Sequence, residues 1–200
     1  MPHGPVGGTT KEQEKKTDFL TLVPPTDPRV NSAIAPYTDD LLKEHNIKDR
    51  KELSDKMFKS MQRYGGIGLS ANQVGLPFNM FVLGDHLSLE NGLKMTCFNP
   101  IIVSSSDEEL MMKEGCLTFP FLFLQIKRPR KVVVKYEDEK GDLKEGQLDG
   151  MFSRIFQHEM DHMLGINFTD KVTKFKLKRA EEKARKMYKV WLKQNEKANK

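Results

Sequence analysis

The stretch MFSRIFQHEMDHM, residues 151–163, decides the reading of this chain. On an α-helix, positions i and i+4 lie one above the other on the same face. His158 and His162 are so spaced, and Glu159 sits between them. Two imidazoles in that arrangement grip one metal ion, and the intervening carboxylate lies beside it, able to take a proton from a water. Met151, Phe152, Ile155, Phe156 and Met163 make the helix apolar around the motif, so it is expected to be buried. Burying two histidines, a glutamate and an aspartate is costly unless they are paired or coordinating. The reading that follows is a metal-dependent hydrolase. The competing reading, two core histidines with ordinary hydrogen bonds, does not account for the carboxylates.

Outward from the motif, Asp149 is placed to cap the helix and Gly165 to stop it, giving a helix over about residues 150–164. Short β signals precede it at residues 79–83, 94–98, 101–104, 121–127 and 131–137. The run Asp138 to Gly141 reads as a hairpin turn returning through residues 142–148. Leu53, Met57, Met61 and Tyr64 recur at helical spacing over residues 51–64, and Gly65-Gly66 ends that helix. Leu20 to Arg29, LTLVPPTDPR, is an extended, turning entry. Leu177, Ala180, Ala184, Met187 and Trp191 form an apolar stripe on a tail helix over residues 174–195. The expected fold is α+β: mostly antiparallel strands packed around a metal-binding helix, with an N-terminal helix and a C-terminal basic helix.

Two hundred residues suit one domain. The expected division is a flexible N-terminal arm (1–18), a catalytic domain (19–171) and a basic C-terminal helix (172–200). The apolar stretch Phe119 to Ile126 is too short to cross a membrane. The first 18 residues lack the apolar core of a secretory signal, so a cytoplasmic protein is expected. Cys97 and Cys116 are the two cysteines, and in that compartment a disulfide between them is not expected. The net charge of +5 is uneven. Lys171 to Lys200 hold 12 Lys or Arg against 3 Glu, or +9, which leaves −4 for the rest. A polyanion such as RNA would fit that tail, as would a plain solvated helix.

A catalytic metal needs a third protein ligand and an open position. Metzincin proteases supply a third histidine at a position that here holds Phe168, so that reading fails. Thermolysin-like proteases use a downstream glutamate, and Glu181 and Glu182 are available on the tail helix. Cys116, in Glu114-Gly115-Cys116-Leu117-Thr118, is the remaining candidate, since thiolate suits zinc or iron.

Three stretches together resemble the signature motifs of the peptide deformylases, in the right order. They are GIGLSANQ (residues 66–73 with Gly66 leading), EGCLT (114–118) and QHEMDH (157–162). The resemblance spans about residues 19–171. It implies that Cys116, His158 and His162 bind the metal, natively Fe²⁺, with Zn²⁺, Ni²⁺ or Co²⁺ able to substitute. It implies that Glu159 is the general acid/base. The Gln73 amide and the Leu117 backbone N–H would stabilise the oxyanion. Gly68 and Gly115 would lie against the substrate backbone. Ile67, Met112, Met151 and Ile155 are the candidates for an apolar methionine pocket. The implied substrate is the formyl-methionyl end of a nascent peptide. The implied partner of the basic helix is ribosomal RNA, and a monomer is expected.

Some residues depart from the family pattern. Ser70 stands where Ala is usual and Thr118 where Ser is usual. Phe123 falls near a position where bacterial members often carry an Arg that helps hold the peptide backbone. Arg154, one turn before His158, either lines the pocket mouth or faces solvent. Two other functions are set against the deformylase reading. One is a zinc endopeptidase using Glu181 or Glu182. The other is a non-catalytic ribosome-binding module, which would need neither Glu159 nor Gln73.

Overall fold

A computed structural model of the chain describes residues 19–84 and 92–198. The expected arm, residues 1–18, lies outside the described residues.

The helix expected over 51–64 is α2 (Arg50–Arg63), preceded by a short α1 (Asp40–Glu44). The Asp49 side chain caps α2 by accepting from the Glu52 N–H. Leu53, Met57 and Met61 are fully buried on one face of it. Seven strands follow: β1 (Gly68–Ser70), β2 (Met80–Gly84), β3 (Lys94–Ser105), β4 (Glu109–Cys116), β5 (Phe119–Pro129), β6 (Lys131–Glu137) and β7 (Leu143–Asp149). All pairings are antiparallel, in a five-stranded sheet ordered β1-β2-β3-β6-β7 and a ribbon of β4 with β5. The two runs expected at 94–98 and 101–104 are one strand, β3, whose register shifts twice against β6. Those bulges bend the strand where separate strands were expected.

The motif helix is α3 (Gly150–Met163). It sits between sheet and ribbon, with Ile155, Phe156 and Met163 packed on Phe81, Leu83, Cys97, Val132 and Val134. Asp149 makes no side-chain cap; Arg130 holds it in an ion pair instead. Gly165 follows α3 at φ 70, and a Cβ there would meet the Ser32 backbone at 2.6 Å. Only glycine lets the chain leave α3 so close to the entry segment, where Ala33 bridges Leu164.

The tail is α4 (Lys174–Ala198). Leu177, Ala180 and Ala184 pack on Leu122, Leu124, Ile126 and Phe168, so the first half of the basic helix closes a core. Both cysteines are free: Cys97 is in the core under α3 and Cys116 ends β4. Among the described residues no helix is long and apolar enough to cross a membrane.

Candidate active site

Neighbouring strands and α3 bring the three sequence motifs to one cleft of about 900 Å³. Its walls include Gly68 and Gln73 from the first motif, Gly115, Cys116 and Leu117 from the second, and His158 and Glu159 from the third. Ile67, Met151 and Ile155 also line it. Met112 does not belong to the lining. It lies on β4 opposite Ile126, two residues before Glu114. Besides Phe123, the cleft is lined by Leu22, Tyr64, residues 119–122 and Met187, which were not singled out for it. Nothing local marks them: they come from the entry segment, the end of α2, β5 and α4, which only folding brings together.

Cys116, His158 and His162 offer ligand atoms within 4.8 Å of one another. Glu181 and Glu182 are not part of this group, which removes the third ligand of the endopeptidase reading. The geometry has a local origin. A register shift between Gly115 and Cys116 breaks the β4–β5 ladder, so Cys116 pairs with Phe119 while Gly115 pairs with Phe123. Such a bulge re-aims a side chain, here bringing Cys116 Sγ to 3.3 Å from His162 Nε2.

His158 is oriented by its other ring nitrogen. Nδ1 lies 3.1 Å from Glu114 Oε2, which leaves Nε2 free for a cation. Glu114 is buried and takes hydrogen bonds from Arg128 (2.7 and 3.0 Å) and from Arg154 Nη1 (2.7 Å). Arg128 also pairs with Asp161 at 2.7 Å. Although burial favours the neutral acid, His158 and the two arginines hold the Glu114 carboxyl well below the usual carboxylate range. Arg154 therefore does not face solvent. It is 4% exposed and also donates to the Ile126 and Leu110 carbonyls, tying α3 to the ribbon.

The donor set suits a soft divalent cation. Burial opposes a charged Cys116, but the His162 and His158 imidazoles pull its thiol well below its ordinary value, towards thiolate. Burial likewise opposes a charged His158, and the Cys116 and Glu114 side chains raise its pKa nonetheless. A buried thiolate facing two imidazoles is an environment a metal ion would complete. The second ring nitrogen of His162, Nδ1, has no partner among the described residues.

Glu159 is buried, which raises its pKa above that of a free glutamate. Ser70 Oγ donates to its Oε2 at 2.5 Å. Gln73 is clamped: Oε1 accepts from the Ser70 N–H (2.9 Å), and Nε2 donates to Thr118 Oγ1 (2.9 Å) and faces Cys116 Sγ (3.3 Å). Gly68 and Gly115 line the cleft and also make room for protein groups. A Cβ on Gly68 would run into the Glu159 carboxylate and meet Ile155 Cγ2 at 2.8 Å, and one on Gly115 would meet Phe123 Cε1 at 2.7 Å. Asn72 was not expected to matter. Its Nδ2 donates to the His162 carbonyl (2.9 Å) and the Arg29 carbonyl (3.2 Å), joining the entry segment to the end of α3.

A thiolate and two imidazoles around a common point, with a buried carboxylate and a clamped amide beside them, define a metal-dependent hydrolase. Comparison with known proteins narrows this. The family model for polypeptide deformylase matches residues 27–178. A peptide deformylase of Maricaulis maris is 34% identical over 172 residues, covering 86% of this chain and 94% of that protein. The crystal structure of peptide deformylase from Ehrlichia chaffeensis superposes with a TM-score of 0.73 at 32% identity, covering 87% of this chain and 99% of the other. That of the Plasmodium falciparum deformylase gives 0.70 at 33% identity, covering 86% and 96%. The chain belongs to the polypeptide deformylase family. Its activity is removal of the N-formyl group from the N-terminal methionine of nascent polypeptides, with release of formate.

Proposed function

We propose that this deformylase uses Cys116, His158 and His162 to hold Fe²⁺, for which Zn²⁺, Ni²⁺ or Co²⁺ can substitute, and Glu159 as its general acid/base. The observation that carries the assignment is the convergence of the Cys–His–His group, Glu159 and Gln73 on one cleft. When bound, the metal supplies a Lewis acid and acidifies water towards neutrality.

The protein's own groups divide the remaining work. The apolar wall of Ile67, Met151 and Ile155 receives the methionine side chain. Gln73 Nε2 and the Leu117 backbone N–H donate to the formyl oxygen as it gains charge, a contribution of about 3–4 kcal/mol per donor. Ser70 and Thr118 already fix the Gln73 amide, so the Nε2 hydrogen that faces Cys116 Sγ is the one that turns to the formyl oxygen. Glu159 takes a proton from the attacking water and returns it to the departing amine nitrogen. Burial raises its pKa above that of a free glutamate, which favours its holding the proton between the two steps.

The test is formate release from a short formyl-Met peptide by protein purified without oxygen and loaded with Fe²⁺, with Glu159→Ala alongside. Rapid release by the wild type and loss in the variant is the expected result. No release with iron bound would reject the assignment.

We further read the +9 tail as a ribosomal RNA contact of a cytoplasmic, monomeric enzyme. Lys183, Lys186, Lys189 and Lys193 are exposed on α4. Leu177, Ala180 and Ala184 belong to the core, so the test neutralises these lysines rather than deleting the helix. Ribosome binding should fall steeply with salt and weaken in the neutralised protein. Equal binding by both proteins would reject this role.

A further inference from the structure

The cleft is larger than a single formyl-methionyl residue needs. At about 900 Å³ it lies at the upper end of sites that enclose drug-sized ligands. Its outer rim is aromatic and comes from two elements. Where the β4–β5 ladder breaks, Pro120, Phe121 and Leu122 loop out between paired Phe119 and Phe123. Leu122 turns into the core and Phe121 turns to the rim. Phe121 holds φ 65, a left-handed conformation that a bulky residue rarely adopts and that persists where surrounding structure enforces it.

The second half of α4 packs against this ring. The Phe121 ring lies 5.8 Å from that of Tyr188 and 6.0 Å from that of Trp191, and those two rings stack at 17°. Met187, on the same turn, reaches the cleft. The contact is incomplete: Met187, Tyr188 and Trp191 remain 45%, 46% and 47% exposed. An exposed apolar patch continuous with a binding cleft marks a place where the ligand extends.

We propose that Phe121, Tyr188 and Trp191 form an outer subsite for the second and third residues of the formyl-methionyl peptide, selective for apolar and aromatic side chains. The proposal rests on the deformylase activity, since the peptide enters the cleft by its formylated end. Its further residues must leave over the rim, where Phe121 and Met187 stand. The tail helix then has a substrate-facing aromatic side as well as its basic one. Tyr188 and Trp191 offer flat, amphipathic faces with little rotamer freedom to lose, which suits peptides of varied sequence.

Trp191 is the chain's one tryptophan, so its fluorescence reports occupancy directly. The experiment titrates formyl-Met-Leu-Phe and formyl-Met-Ala into the protein and follows that emission. It also measures kcat/KM for both peptides in the wild type and in the Tyr188→Ser/Trp191→Ser double variant. Expected are a saturable emission change with formyl-Met-Leu-Phe and little with formyl-Met-Ala. The ratio of kcat/KM, longer over shorter peptide, should fall about ten-fold in the variant, the size expected for losing one or two aromatic contacts. The ratio cancels any general damage from the substitutions. An unchanged ratio, or silent emission at saturating peptide, would overturn the proposal, as would emission that responds to ribosomes and not to peptide. Failure of the wild type to release formate from formyl-Met-Ala would instead strike at the activity, and the emission titration would still decide the subsite.

Discussion

Ser70 Oγ donates a hydrogen bond to Glu159 Oε2 at 2.5 Å, across the gap between β1 and α3. Its own backbone N–H holds Gln73 Oε1. One residue thus positions both the acid/base and the amide donor assigned to the formyl oxygen. Where the family pattern has alanine, this chain has a hydroxyl at a buried carboxylate. Ser70→Ala should keep the backbone contact to Gln73 and lose the one to Glu159. A hydrogen bond to a charged group contributes about 1.5–3 kcal/mol, so kcat should fall about ten-fold with KM and bound metal unchanged. Steady-state kinetics with metal analysis checks this, and a shift in KM alone would contradict it.

Gly68→Ala should be more damaging. Its Cβ would occupy the space of the Glu159 carboxylate and crowd Ile155. Displacing a catalytic group by about 1 Å costs roughly 100-fold in rate. Formate release should fall by that order while the Cys–His–His group still retains metal.

Cys116→Ala should abolish metal retention, because two imidazoles remain and no other described carboxylate joins the group. Metal analysis after gel filtration is the check. Full retention would revive the endopeptidase assignment.

Glu114→Ala should cost both stability and metal. It strips the buried Arg128 and Arg154 of their shared partner, a loss of about 3–5 kcal/mol when one side of a buried ion pair is removed. Melting should fall by roughly 10 °C for a chain of this size. Metal affinity should drop about 10- to 100-fold, because His158 loses the group that orients it. Thermal melts and competition with a chelator measure the two effects.

Alkaline pH should destabilise the fold through two buried phenols. Burial pushes Tyr136 up to about 12 and raises Tyr37 further, where Asp39 also favours the neutral form. In the unfolded chain both ionise near 10. The folded state therefore keeps protons that the unfolded state releases. The resulting stabilisation is complete below pH 10 and is lost as pH rises towards 12. Urea unfolding between these limits should show the decline, and Tyr37→Phe should flatten it.

Much of this was legible in the chain itself. The period of His158 and His162 gave the metal-binding helix, and Leu53, Met57 and Met61 gave the helix against the sheet. Those patterns are local, since one buried face imposes its own spacing on the sequence. β6 was read to the residue because a run of β-branched valines, bounded by Pro129 and by the turn at Asp138, marks a strand. β4 was not read. Its outward face carries Met111 as well as Glu109 and Lys113, and its inward face buries the charged Glu114 beside Leu110 and Met112, so ELMMKEGC carries no clean alternation. Its pairing with β5 depends on a partner eleven or more residues away in several of its contacts.

Residue type and spacing in the sequence stated a metal-binding helix, with His158 and His162 one turn apart and Glu159 between them, while the reaction followed from the resemblance of three motifs to the deformylase family. The tertiary structure alone decided how each is held. Only folding shows that Glu114, Arg128 and Arg154 orient His158, that Gly68 makes room for Glu159, and that α4 puts Met187 at the cleft. Such contacts join residues tens of positions apart. They are fixed by burial and by the pairing of charges that burial demands, and no local pattern records them.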